Sequence, residues 1–326
     1  MNRPERTTPA PISRRSILAG GLAAGALGFR GADACATGRR EAERPADSES
    51  PFLIGLNTST IRGQNLGIVK EIEVAAAAGF QGMEPWMDGL RKYEAEGGTL
   101  EDLGKRFRDA GIRVESAIDF FEWVVDDDAR RRKGLEDARR SMEIVRKIGG
   151  LRIACPPAGA TDAPLPPLKV AERYRSLLEI GDAIGVVPQA EVWGFSKTLG
   201  RLGEAAEVAI ETGHPRACIL PDVFHLFKGG SSLAGIRLLS PEAIHVFHVN
   251  DYPAQPAREK LNDGDRIYPG DGIAPYKTLL RDLRAGGFRV MLSLELFNRE
   301  LWKQDPLTVA KTGAEKLRAL VRASES

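Results

Sequence analysis

VMLSLE, residues 290–295, carries the pattern that decides how the chain folds. Its even positions are Val290, Leu292 and Leu294; its odd positions are Met291, Ser293 and Glu295. Successive side chains of a strand point to opposite faces. One set here is apolar throughout and suits a face packed on helices. The other ends in a carboxylate, which suits a face lining a barrel lumen with chemistry at its rim. VVPQAE (186–191), ACILPD (217–222) and IHVFH (244–248) are built alike. The same parity sends Gln189 and Glu191 inward, then Cys218, Leu220 and Asp222, then Val246 and His248, and turns His245 toward the helices.

Upstream, FLIGLN (52–57), GMEPW (82–86), IRVESAI (112–118) and LRIAC (151–155) read as four further strands. Helical spacing separates them. Ile68, Ile72, Ala75 and Gly79 share one face, and a second helix is expected over 99–110. Leu135, Ala138, Met142 and Val145 share a third face that stops at Gly149-Gly150, and Val170, Tyr174, Leu177 and Ile184 a fourth. Helices are also expected near 201–212, 231–239, 275–285 and 306–323. Eight strand–helix units predict the α/β class, a single closed (β/α)8 TIM barrel over 51–326 with no second domain.

The N-terminus reads differently. Ser13-Arg14-Arg15-Ser16-Ile17-Leu18 opens an apolar, Gly- and Ala-rich stretch to Phe29, the build of an export signal of the twin-arginine kind. Small residues at Ala32 and Ala34 place the end of the signal peptide at residue 34, followed by a disordered linker over 35–50. The twin-arginine export machinery is then a partner, and the mature protein is periplasmic or otherwise outside the cytoplasm, with no transmembrane span after processing. Cys35 leaves lipid anchoring open, although Asp33 fits a lipobox poorly. Phosphorylated sugars and nucleotides become poor substrate expectations.

The 326 residues carry a net charge of +1, which gives no electrostatic footprint for nucleic acid. None of the three cysteines falls in a CxxC pair, so a thiolate zinc site is not expected, and Cys155 and Cys218 read as buried thiols. A homo-oligomer is compatible with the barrel.

Glu191, Asp222, His248 and Glu295 close the four strands that carry the pattern. Three hard oxygen ligands and one imidazole suit an open site for one divalent metal ion, Mn2+ first, with Mg2+, Co2+ or Zn2+ as alternatives. Carboxylates crowded together without a cation repel and raise one another's pKa, so the cluster itself argues for an ion. Glu84, inward at the end of the second strand, is expected to accept a substrate hydroxyl. Trp86, Phe120, Phe121, Trp123 and Trp193 fall near the expected mouth, and Trp86 and Trp193 are the preferred pair for packing on the C–H face of a sugar. His214 precedes the sixth strand, at the wrong end for chemistry, and reads as structural.

The combination resembles the xylose isomerase-like TIM-barrel superfamily, in the sugar isomerase/epimerase branch that includes D-tagatose 3-epimerase. The resemblance covers roughly 52–323 and implies that Glu191, Asp222, His248 and Glu295 hold the metal. Asp222-Val223-Phe224-His225 matches the branch's Asp-x-x-His pattern, which implies that His225 binds a substrate oxygen. Arg266-Ile267-Tyr268-Pro269-Gly270 matches an Arg followed by Pro-Gly, which implies substrate binding by Arg266. The segment NDYPAQPAREKLNDGD (250–265) is longer than in compact epimerases, so the identity of the sugar does not transfer. The endonuclease IV branch needs more histidines than the four present and a cationic surface.

The expected function is metal-dependent isomerisation or epimerisation of a free keto sugar or related polyol through an enediolate, with Glu191 and Glu295 exchanging the proton. Two alternatives stay open. One is an exported lyase or hydrolase acting on oxidised (keto) glycosides by the same proton abstraction; the other is a non-catalytic carbohydrate-binding barrel.

Overall fold

A computed structural model describes residues 50–325. The expected signal peptide (1–34), and all of the expected linker except Ser50, lie outside the described residues. Eight parallel strands are present: β1 (Phe52–Asn57), β2 (Gly82–Glu84), β3 (Arg113–Val114), β4 (Arg152–Cys155), β5 (Val187–Glu191), β6 (Ile219–Leu220), β7 (Val246–Val249) and β8 (Val290–Leu294). They pair as β3-β2-β1-β8-β7 and as β4-β5-β6. Two seams close the wall. Leu151 N donates to Val114 O and Ala154 N to Ala117 O between β3 and β4. Bridges Ile219–Ile244 and Asp222–His248 join β6 to β7. The result is the expected barrel, with short strands where the backbone bends toward loops.

Nine α-helices of the described residues cover it: α1 (Ile68–Ala77), α2 (Met87–Ala95), α3 (Leu100–Asp109), α4 (Asp128–Lys147), α5 (Pro167–Ile184), α6 (Leu202–Glu211), α7 (Val223–Lys228), α8 (Tyr276–Ala285) and α9 (Pro306–Ala323). Their ends follow local chemistry. Thr99 accepts from Asp102 N at the start of α3, and Asp127 accepts from Arg130 N at the start of α4, each satisfying a backbone donor the helix cannot. Gly149 leaves α4 at φ 85°, a left-handed conformation that costs glycine little.

Two expectations fail. The helix near 231–239 is a 3-10 segment, Leu233–Leu238, because Gly229-Gly230-Ser231-Ser232 breaks the chain and Ser232 caps the short turn. The α-helix of that unit is α7, started earlier by Asp222, whose side chain accepts from His225 N. Helix α2 was not anticipated, since its buried stripe is only Met87 and Leu90.

The lumen holds its own apolar layer of Leu53, Ile118, Ala154, Leu220, Val246 and Met291, separate from the larger core between strands and helices. The Met291 sulfur fills the centre at the expense of its neighbours. A Cβ on Gly55 would lie 2.4 Å from it and one on Gly82 2.5 Å, so a side chain at either position would force Met291 to move. No helix of the described residues is long and apolar enough to cross a membrane.

Candidate metal and catalytic site

Above that apolar floor, the inward ends of the strands are polar. Glu191 ends β5, Asp222 follows β6, His248 lies in β7 and Glu295 follows β8; all four are buried. His248 is the hub. Its Nδ1 stands 3.2 Å from Glu295 Oε2, 3.6 Å from Glu191 Oε1 and 3.7 Å from Asp222 Oδ2. Its Nε2 stands 2.9 Å from Glu84 Oε2. Glu84 thus turns one oxygen to His248, while its Oε1 is buried without a partner. It is fully buried, and its Oε2 also accepts from Ser293 Oγ at 2.5 Å and from Asn57 Nδ2 at 3.4 Å. A proton on His248 Nε2 facing Glu84 leaves the Nδ1 lone pair pointing at the other carboxylates, the second-partner arrangement that orients ligating histidines.

The residues fit a divalent cation. One ligand atom each from Glu191, His248 and Glu295 lie within 4.8 Å of one another. His248 Nδ1 and Glu191 Oε2 are buried without an aligned hydrogen bond, a costly state that an ion would relieve. Asp222 is less free than expected. Its Oδ1 accepts from His225 N at 2.8 Å, and its Oδ2 accepts from Asn250 Nδ2 at 3.1 Å and Arg266 Nη1 at 2.7 Å.

Arg266 spans the site. Nη1 also donates to Glu295 Oε2 at 2.9 Å, Nη2 lies 3.1 Å from His225 Nε2, and Nη2 and Nε reach Asp263 Oδ1 at 2.6 and 3.1 Å. Phe224 and Phe297 flank the guanidinium, with ring centres 4.9 and 5.0 Å away.

Burial dominates the electrostatics. It pushes the Glu191 carboxyl up to about 8 and also raises Glu295. Burial works against Asp222 as well, yet Arg266, His225 and His248 hold that carboxyl well below the usual range. Burial takes His225 down to about 4, a neutral imidazole able to bond a hydroxyl.

Rings form an arc around the mouth. Trp86 lies 5.1 Å from Phe120 and 5.9 Å from Phe297; Phe120 lies 5.9 Å from Trp193; Trp193 lies 5.3 Å from Phe195, which reaches His225 at 5.6 Å. Phe121 and Trp123 do not join it. Both are core residues, and Trp123 Nε1 donates to Pro156 O. His214 is tied to Asp182 and to Arg216 N, away from this end, and Cys155 and Cys218 are buried thiols outside any disulfide.

Three contributors escaped the sequence reading. Asn57 donates to Glu295 Oε1 at 3.0 Å and accepts from Trp86 Nε1 at 2.8 Å. Asn250 holds Asp222, and Asp263 holds Arg266. Beside Arg266, the segments around 253–267 and 297–302 enclose an open groove of about 810 Å³.

A family profile described as xylose isomerase-like TIM barrel matches residues 72–320. The inosose isomerase of Bacillus velezensis is 25% identical over 266 residues, 79% of this chain and 93% of that protein. The 3-dehydroshikimate dehydratase of Pseudomonas aeruginosa is 26% identical over 232 residues, 70% of this chain and 36% of that protein. Among solved structures, the IolI protein with a bound zinc atom superposes with a TM-score of 0.76 at 21% identity, covering 82% of this chain and 98% of its own, a likeness of fold.

Proposed function

The chain belongs to the xylose isomerase-like TIM-barrel family, and from that premise we propose that it is a divalent-metal-dependent isomerase or epimerase of a keto sugar or related polyol. The observation that carries this reading is the convergence of Glu191 and Glu295, from strands three apart, on His248 Nδ1. Glu191, His248 and Glu295 would hold the ion, with Asp222 as fourth ligand through the oxygen that Arg266 now shares. When bound, the ion supplies Lewis acidity toward the charge that develops on the substrate's carbonyl and neighbouring hydroxyl oxygens. Zinc, already a candidate beside Mn2+, Mg2+ and Co2+, is the ion named for the IolI structure.

The chain's own groups do the rest. Glu191, whose burial makes it a strong base once ionised, removes the proton from the carbon beside the carbonyl. Glu295 returns one from the other side, or the two exchange roles. Neutral His225 bonds a substrate oxygen through its unpartnered Nδ1, and Arg266 does so by exchanging one of its carboxylate contacts, while Trp86 and Trp193 cover a C–H face and exclude water. The inosose isomerase similarity supports the substrate class.

Incubation of the metal-loaded protein with a panel of free ketoses in heavy water tests this. Exchange of the hydrogen beside the carbonyl is expected, and Glu191→Gln should abolish it while retaining much of the metal. Exchange that survives in the variant removes Glu191 from the role.

A second reading shares the first step. With a glycosyl oxygen on the carbon beyond the deprotonated one, the C–H electrons form a C=C bond. The C–O bond then breaks, and the leaving oxygen takes the proton from the other carboxylate. The groove beside Arg266 favours such larger keto glycosides, as does the similarity to a dehydratase. Release of the aglycone, rather than formation of an epimer, selects it. Both readings accompany export by the twin-arginine route, which fractionation of cells expressing the full chain checks.

A further inference from the structure

The groove has a composition of its own. Asp263, Asp265, Phe297, Arg299, Glu300 and Trp302 are among its lining residues, three carboxylates against one guanidinium, with two aromatic rings. At about 810 Å³ it has the size of a small-molecule site. Its walls come from the chain's long segment between β7 and Arg266 and from the loop after Glu295. Two of its residues reach the acid cluster through one shared side chain. Asp263 binds Arg266, Phe297 lies against it, and Arg266 donates to Asp222 and Glu295. Phe297 also packs on Trp86, so the groove and the aromatic arc share one ring.

We propose that this groove is a second subsite, which takes the distal ring of a ketose glycoside whose ketose end sits over the acid cluster. The inference rests on the reading of that cluster as a ketose-activating site and adds the class of substrate. A neutral hydroxylated ring matches the lining. Its hydroxyls donate to Asp265 and Glu300, and its C–H face covers Phe297 or Trp302. Asp263 is paired with Arg266 and Glu300 with Lys303, which leaves the lining near neutral and suits an uncharged ring. A ketose held by its carbonyl and adjacent hydroxyl must carry the second ring on the carbons farther along the chain.

The test uses the full-length Mn2+-loaded protein, with D-fructose and three glucosyl-fructoses: turanose (3-linked), maltulose (4-linked) and isomaltulose (6-linked). Calorimetry is expected to give maltulose or isomaltulose a Kd about tenfold or more below that of D-fructose. Turanose should gain nothing, because its glucosyl group sits on C3, directly beside the carbonyl, and cannot reach the groove while the ketose end is over the acid cluster. Glu300→Trp fills the groove from an exposed position and should erase the gain while leaving D-fructose binding unchanged; Arg299→Trp is the second blocking variant. Equal affinity for all four sugars, a gain that survives both blocking variants, or an equal gain for turanose overturns the subsite. Exchange of D-fructose hydrogen without any gain for the longer sugars sinks the subsite alone. Absence of binding and exchange with every sugar sinks the ketose reading, and the subsite with it.

Discussion

Met291 and Glu295 lie on one strand line, four residues apart, and both face the lumen and are buried. One rests among Leu53, Ile118, Leu220 and Val246; the other meets His248, Arg266 and Asn57. Equal burial therefore has opposite energetic meaning along a single strand. At the floor, taking a side chain from water is the source of stability. At the rim it costs free energy, because carboxylates are desolvated beside each other and depend on cations for relief. The barrel spends stability from its floor on holding a charged site in place.

The largest expected effect is at the rim. Glu295→Gln should lower the exchange rate by about 10²–10⁴-fold with the fold intact, read by heavy-water exchange and circular dichroism together. Unfolding of that variant would erase the contrast with the floor. Met291→Ala should cost about 2–5 kcal/mol in denaturant melts, since the cavity lies between Gly55 and Gly82, which offer no side chain to fill it.

A pH comparison sharpens the argument. Glu191 and Glu71 are both raised by burial, to about 8 and about 7, but Glu71 lies on α1 outside the cluster. Each has a folded pKa above the unfolded value of 4.5, so the folded state binds the extra proton. Stability is lost as pH rises from 4.5 and levels off above the folded pKa. Glu→Gln at either position should remove that loss. In the metal-free protein Glu191→Gln should gain on the order of 3 kcal/mol by pH 8, and Glu71→Gln about 1–2 kcal/mol, with neither gaining at pH 4. The divalent ion should shrink the Glu191 gain and leave that of Glu71 alone. A Glu71 gain that also shrinks would break the distinction between a half-buried acid outside the cluster and one proposed to hold the cation.

The barrel was legible because period-two alternation forces each strand's two faces apart, and VMLSLE displays both faces without ambiguity. The same rule, applied to FLIGLN, would have shown Asn57 inward with Leu53 and Gly55. That signal was present and went unused. Parity gave the direction of Glu84 but not its partner, since the reach of His248 Nε2 across the lumen depends on the closed barrel. Asp263 stands three residues before Arg266, and the 3-10 turn Asp263–Asp265 brings the two together, so the spacing itself carried the signal. Phe121 and Trp123 misled because aromatic residues in a strand-exit segment pack into the core as readily as they rim a mouth. The 3-10 turn at 233–238 replaced the expected helix where Gly and Ser offered the backbone other partners.

Trp86 and Glu295 are two hydrogen bonds apart, joined by the amide of Asn57. A ring pressing on the indole tugs on the amide, and the amide shares its hydrogen with the carboxylate. Under the proposed function, grip on the ligand at Trp86 and the basicity of Glu295 would be geared together. A relative that reshapes its aromatic wall to suit a different sugar would retune its own turnover in the same step.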